Sequence, residues 1–263
     1  MAMGVVLLGY GAIGRAVHRS LAEHQEDVEV LRIVDRAVLE GGAQNAATAL
    51  GDAIAGAQLV IECASPAAVR SYGPGIIGSG SHLLVASLGA LVDPQLAQCL
   101  LHDGPGRCYL STGAIGGLDL IRATAATIEQ ITLCTRKAPL ALLHPGLPEH
   151  LRSLLAGLRP EHGPEQVLSG SVADAIKLFP SNINVAAALG LAAGNMALVR
   201  VQIIADPTAR RTTHSINVQT SSGKYSFEIS NLPDPANPAT SALTARSMVS
   251  GVLRLAGRGP HFI

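Results

Sequence analysis

With 263 residues, 48% of them hydrophobic, the chain can bury the core of one large or two modest domains, which excludes a peptide or a disordered tail. Nineteen Lys and Arg against nineteen Asp and Glu leave no field of one sign, so neither a nucleic-acid backbone nor an anionic membrane is an expected partner. The absence of tryptophan and an aromatic content of 3% argue further against a base-stacking surface and leave a compact small molecule as the expected partner.

The start, MAMGVVLLGYG, lacks a basic n-region and a cleavage site, and glycines interrupt it before a membrane-length apolar run forms. A cytoplasmic location is therefore expected. Residues 5–17, VVLLGYGAIGRAV, predict strand, turn and helix. Gly9 permits the tight turn, Gly11 lets the backbone approach a pyrophosphate, and Gly14 lets the helix pack closely on the strand, with Ala12 and Ile13 between them. The unpaired N–H groups of the helix start would face the phosphates. A lone glycine triplet of this kind also occurs in plain turns, but the next strand strengthens it. After the amphipathic segment Arg15 to Glu23, VEVLRIVDR reads as a second buried strand ending at Asp35, 21 positions beyond Gly14. That is where a dinucleotide fold places the carboxylate that binds both hydroxyls of an adenosine ribose; a solvated strand-end charge is the plainer reading. Arg36, next in line, suits the 2′-phosphate of NADP. Both NAD and NADP stay open.

The same rhythm continues. AQLVIECASPAAV reads as strand, loop and helix, GSHLLVASLGAL as another strand, and GRCYLSTGAIGGLDLI as a strand entering a glycine-rich turn. Alternating strands and helices imply a parallel, doubly wound sheet. The loops Cys63–Pro66, which holds Ala64 and Ser65, Ser87–Gly89 and Gly113–Gly117 should line one crevice at the strands' carboxyl ends. Gly113, Gly116 and Gly117 suggest close approach to a flat ring, the alternative being a turn with no ligand. Cys63, Cys99, Cys108 and Cys134 lie far apart without metal-ligand spacing and read as reduced core thiols, so no metal site is expected.

Beyond residue 120 the alternation changes. IEQITLCTRKAP looks like an exposed strand, and five prolines between 139 and 164 predict short helical turns in a mobile flap. SVADAIKLFPSNINVAAALGLAAG predicts a helix broken near Pro180 and restarted under a cap from Ser181 or Asn182. MALVRVQIIADP is a strand candidate, with Asp206 capping a turn before Pro207, and THSINVQTSSGKYSFEIS reads as a hairpin turning near Ser222-Gly223. His214, Ile216 and Val218 share one face of its first arm, so His214 points inward as packed core or as a wall of a pocket. The last helix, capped by Thr240 or Ser241, offers Leu243, Met248, Val252 and Leu255 as core contacts and could pack back on the first domain.

In combination, GYGAIG, ECASP, GAIGG, KLFPSNINVAAALGLA, ADP followed by a strand histidine, and NPATS resemble the L-aspartate dehydrogenase family over nearly the whole chain. The resemblance implies an enzyme that uses NAD or NADP to oxidise L-aspartate to iminoaspartate, which hydrolyses to oxaloacetate and ammonia or feeds nicotinamide-ring synthesis. It implies nicotinamide-nucleotide contacts from Ala114 and Asn184, an active-site role for His214, and a homodimer built on the second domain's sheet. The expected fold is α/β: an N-terminal Rossmann doubly wound parallel sheet, residues 1–118, a second α+β open-sheet domain, 119–239, and a C-terminal helix, 240–263, packed on the first domain. A dicarboxylate also demands cationic donors, for which Lys177, Arg210 and Arg211 are candidates. Two other readings stay open, a reductase of the homoserine dehydrogenase or dihydrodipicolinate reductase type, and a non-catalytic NAD-binding sensor in which His214 is only core.

Overall fold

The computed structural model describes residues 1–35, 46–180, 183–234 and 237–259. The chain divides into two compact units, one formed by Met1–Gly113 with Thr244–Ile263, the other by Ala114–Leu243.

In the first unit, β1 (Met3–Leu8), β2 (Val28–Val34), β3 (Leu59–Glu62), β4 (His82–Val85) and β5 (Cys108–Leu110) form a sheet in the order β2-β1-β3-β4-β5. Every neighbouring pair is parallel. The apolar runs VVLL and LVIE are buried along their length, as strands covered on both faces must be. α1 (Ala12–Leu21), α2 (Ala46–Ile54), α3 (Pro66–Gly78) and α4 (Pro94–His102) alternate with these strands. α9 (Ala242–Leu255) enters the same core through Ala245, Met248, Val249 and Val252, beside Val5, Leu7, Ile61 and Leu84. Ser241 Oγ accepts the Leu243 N–H at its start.

The strand order sets where a ligand can sit. The chain leaves β1 for β2 on one side and returns to β3 on the other, so the loops after β1 and β3 diverge and leave a crevice at the strands' carboxyl ends.

The second unit carries a mixed sheet, β10-β9-β6-β8-β7, from β6 (Ile128–Lys137), β7 (Glu165–Ser171), β8 (Val199–Ala205), β9 (Thr212–Thr220) and β10 (Lys224–Asn231). α5 (Leu118–Ala123), α6 (Glu149–Gly157), α7 (Val172–Leu178) and α8 (Ile183–Ala192) accompany it, α7 and α8 packing on β8. Two short strands, β11 (Pro233–Asp234) and β12 (Asn237–Ser241), pair with each other. β9 and β10 form the expected hairpin, and Thr220 Oγ1 accepts the Gly223 N–H in its turn.

Three details depart from the sequence reading. IEQITLCTRK is the middle strand of its sheet rather than an exposed one, flanked by β9 and β8. The proline-rich region holds a nine-residue helix, α6, and runs into β7, for which no strand was expected. Of the cysteines, only Cys63 is buried, the other three being half-exposed, and all four are free thiols. Among the described residues no helix is long and apolar enough to cross a membrane.

Candidate active site

In the first unit, a cleft of about 500 Å³ opens at the carboxyl ends of β1, β2 and β3, lined by Gly9, Gly11, Asp35, Ala64 and Ser65 together with Tyr10 and Tyr72. Gly9 has φ +97, and a Cβ there would stand 2.6 Å from the Cβ of Ala64, so no other residue brings the turns after β1 and β3 so close. A Cβ on Gly14 would collide with the Gly9 carbonyl oxygen, which is why α1 can start directly against the turn. Gly11, the residue preceding α1, is different, since a Cβ would meet nothing within 4 Å. Its backbone borders open space at the start of the helix, the end of a helix that favours an anion. Ala12 and Ile13 form the first turn, with Ile13 packed on the core. Asp35 is exposed at the end of β2 on the cleft wall. Arg36 lies outside the described residues, as do Ser181 and Asn182. Ser65 Oγ accepts the Ala68 N–H and caps α3. Its hydroxyl therefore holds the helix start at the edge of the cleft.

Behind this wall lies a residue that the sequence reading passed over. Glu62, fully buried at the end of β3, accepts four hydrogen bonds: from Ala64 N (2.8 Å) and Ser87 Oγ (2.9 Å) on Oε1, and from Ala86 N (3.1 Å) and Ser87 N (2.9 Å) on Oε2. It ties the loop after β3 to the loop after β4. Burial raises its pKa above the ordinary glutamate range despite these donors. Burial first, and then the charge of Glu62, push the Cys108 thiol up to about 12 and raise Cys63 as well. Both thiols stay protonated and inert at neutral pH.

The second unit builds a different corner. Period-two alternation puts Ile131, Leu133, Thr135 and Lys137 of β6 on the buried face. Register then lays them in rows: Ile131 between Val218 and Val199, Leu133 between Ile216 and Val201, Thr135 between His214 and Ile203. The rows are apolar at the start of β6 and polar at its end, where Lys137 stands beside Ala205 of β8. His214 is 6% exposed and Lys137 5%. The imidazole Nδ1 lies 3.0 Å from Thr135 Oγ1. Burial, and then the positive charge of Lys137, lower the His214 pKa to about 4; burial lowers that of Lys137 to about 8.

The carboxylate next along, Asp206, serves the turn after β8. Its Oδ1 accepts from Thr208 N (2.8 Å) and Thr208 Oγ1 (2.7 Å), and its Oδ2 pairs with Arg136 at 3.2 Å. Burial alone would raise this carboxyl; the bonds from Thr208 and Arg136 outweigh it and leave the pKa below the ordinary value. Lys177, Arg210 and Arg211 are exposed.

Ala114 and Asn184 also belong to this unit. Asn184 sits on the first turn of α8, exposed. Ala114 is buried, and its carbonyl accepts from Asn231 Nδ2 at the end of β10. A Cβ on Gly117, which has φ +79, would stand 2.6 Å from the ring of Phe227. Gly113 and Gly116 have nothing within 4 Å of such a Cβ.

A parallel sheet with a glycine turn, a carboxylate at the end of β2 and a cleft at its switch point is the architecture of a dinucleotide-binding domain, and the second unit carries a sheet with a buried histidine. Comparison with known proteins gives the family. Residues 119–255 match the family described as aspartate dehydrogenase, C-terminal, and residues 9–103 match the homoserine dehydrogenase NAD-binding domain. The L-aspartate dehydrogenases of Methanosarcina barkeri and Methanopyrus kandleri are 34% and 36% identical, with 95% and 96% of both chains covered in the respective comparisons. The crystal structure of aspartate dehydrogenase from Thermotoga maritima superposes with a TM-score of 0.74 at 26% identity, over all of both chains. The chain belongs to the L-aspartate dehydrogenase family.

Proposed function

We propose that the protein oxidises L-aspartate to iminoaspartate with NAD or NADP, releasing one proton; the imine hydrolyses to oxaloacetate and ammonia or passes on to pyridine-nucleotide synthesis. The observation that carries this reading is the inward-facing His214, held by Thr135 beside Lys137 in a chain of this family.

A bound nicotinamide would supply the acceptor for the hydride that leaves the substrate's α-carbon. Gly9, Gly11, Ala12, Ile13 and Gly14 would hold the pyrophosphate, and Asp35 the adenosine ribose, with Ala64 and Ser65 on the cleft wall. By the family resemblance, Ala114 and Asn184 would contact the nicotinamide nucleotide. Asp35 favours NAD over NADP, because a carboxylate binds the ribose diol and repels a 2′-phosphate.

His214 handles the proton. At neutral pH the buried imidazole is unprotonated and so ready to accept. With Nδ1 engaged by Thr135, Nε2 is the nitrogen that serves the substrate's amine or the water that hydrolyses the imine. For Nε2 to accept, Nδ1 carries the ring proton and donates to Thr135 Oγ1, and the same bond persists once Nε2 is protonated. An arriving dianion would raise the imidazole's affinity for that proton, since negative charge favours the protonated ring.

Two further proposals accompany this one. The outer face of the second sheet, with Thr132 and Cys134 of β6 and Ser215 and Asn217 of β9 half-buried or exposed, supports a homodimer through that sheet. Sedimentation at micromolar concentration tests it, and a monomer refutes it. Four free thiols suit a reducing cytoplasm.

The deciding experiment is His214→Ala. The variant should fold and bind NAD as the wild type does, yet lose about 10²–10⁴-fold in aspartate turnover. Turnover near the wild-type rate by the folded variant would overturn the assignment, and no wild-type turnover of aspartate with either cofactor would overturn the function.

A further inference from the structure

We infer that Lys137 is the anion anchor of the substrate site, its ammonium group taking a carboxylate of the dicarboxylic substrate beside His214. This rests on the proposed aspartate chemistry and names the residue that recognises the substrate class.

Position is the first argument. Lys137 is two residues beyond Thr135 on the same face of β6, and Thr135 is the register partner of His214. Lys137 and His214 are thus diagonal cross-strand neighbours on one face, a separation of about 7–8 Å that a long side chain spans. The charge of Lys137 acts on the imidazole at this separation and, after burial, lowers its pKa.

Burial is the second argument. Among the described residues Lys137 is the buried member of all the lysines and arginines, while Lys177, Arg210 and Arg211 are exposed. Two of the rows that precede it on this face, Ile131 and Leu133 with their β8 and β9 partners, are apolar, and the one next to it holds Thr135 and His214. An ammonium at the end of such a face is costly for folding and is placed where a bound anion excludes water and gains most from the charge. Desolvation lowers its pKa to about 8, which still leaves it mainly charged at neutral pH. A carboxylate seated on it would also offset the positive charge that keeps His214 unprotonated, so anchoring and proton acceptance would be coupled through one contact.

The test compares the wild type with Lys137→Met and Lys137→Gln. Loss of a charge-assisted hydrogen bond, about 1.5–3 kcal/mol, corresponds to roughly 10–150-fold in affinity. The KM for aspartate should rise by that factor and the Ki of succinate, a dicarboxylate without an amine, should rise with it, while the KM for NAD stays within about twofold. Calorimetric titration with oxaloacetate reads the same contact without turnover. Oxaloacetate binding that is weakened in both variants supports the anchor even if aspartate is not oxidised; equal binding in wild type and variants, no binding by the wild type, or an unchanged aspartate KM with only kcat reduced would overturn it.

Discussion

Replacing Glu62 by glutamine removes a charge and one acceptor from the buried tie between the loops after β3 and β4. The carboxylate accepts from Ala64 N and Ser87 Oγ on one oxygen and from Ala86 N and Ser87 N on the other. An amide keeps one acceptor oxygen. If that oxygen faces Ala86 and Ser87, the new NH2 can donate to the Ser87 hydroxyl, which rotates to accept, but it meets the Ala64 N–H donor to donor. The flipped amide meets two N–H groups that way. The better orientation therefore strands the Ala64 N–H, which is only part-buried beside the cleft, so the cost falls toward the lower end of the range of about 1–3 kcal/mol for a buried donor. Relief of the desolvated charge, visible in the raised carboxyl pKa, offsets part of this and places the outcome toward the lower end. At roughly 2–4 °C of Tm for each kcal/mol in a chain of this size, Glu62→Gln should melt about 2–6 °C below the wild type. Because Ala64 lines the cleft proposed for the dinucleotide, NAD should bind more weakly while turnover at saturating cofactor is unchanged. Thermal melts with NAD calorimetry measure both effects. An unchanged Tm together with unchanged NAD affinity would refute the claim that this carboxylate holds the loops.

The pH dependence of stability follows from the buried imidazole. Burial and Lys137 hold His214 at about 4 in the fold, against 6.5 when unfolded, so its contribution is complete above pH 6.5 and is lost as pH falls through 4. The loss amounts to about 3 kcal/mol, and denaturant melts across that range should fall more steeply for the wild type than for His214→Gln. The glycines of the first turn should separate structure from ligand binding. Gly14→Ala drives a Cβ into the Gly9 carbonyl and should lower stability by about 1–3 kcal/mol, measured by urea unfolding. Gly11→Ala meets nothing within 4 Å, so it should leave the melting temperature unchanged yet weaken NAD binding, because it fills the space at the start of α1.

Much of the cofactor half could be read from the chain because its signals are local. A tight turn, a close helix start and a carboxylate at the end of the next strand are fixed by backbone sterics over a few tens of residues, and Gly9, Gly14 and Asp35 stand where the spacing put them. The inward direction of His214 came from the same short-range logic, since alternation on one strand is set by the pleat. Its neighbours did not follow. Lys137 lies in phase with Ile131 and Leu133, a signal present in the sequence, but with β6 taken as an exposed strand that phase gave no reason to bury an amine. Only the placement of β6 between β9 and β8 made it a central strand and brought Thr135 opposite His214, 79 positions away. Glu62 was hidden for the same reason: the donors that allow a carboxylate at the end of a buried strand include Ala86 and Ser87, 24 and 25 positions along. Backbone sterics and side-chain alternation are properties of neighbours in the chain, and the sequence by itself determined them. Whether a buried charge is tolerated depends on which distant strands and loops supply its partners, and only the tertiary structure decided that.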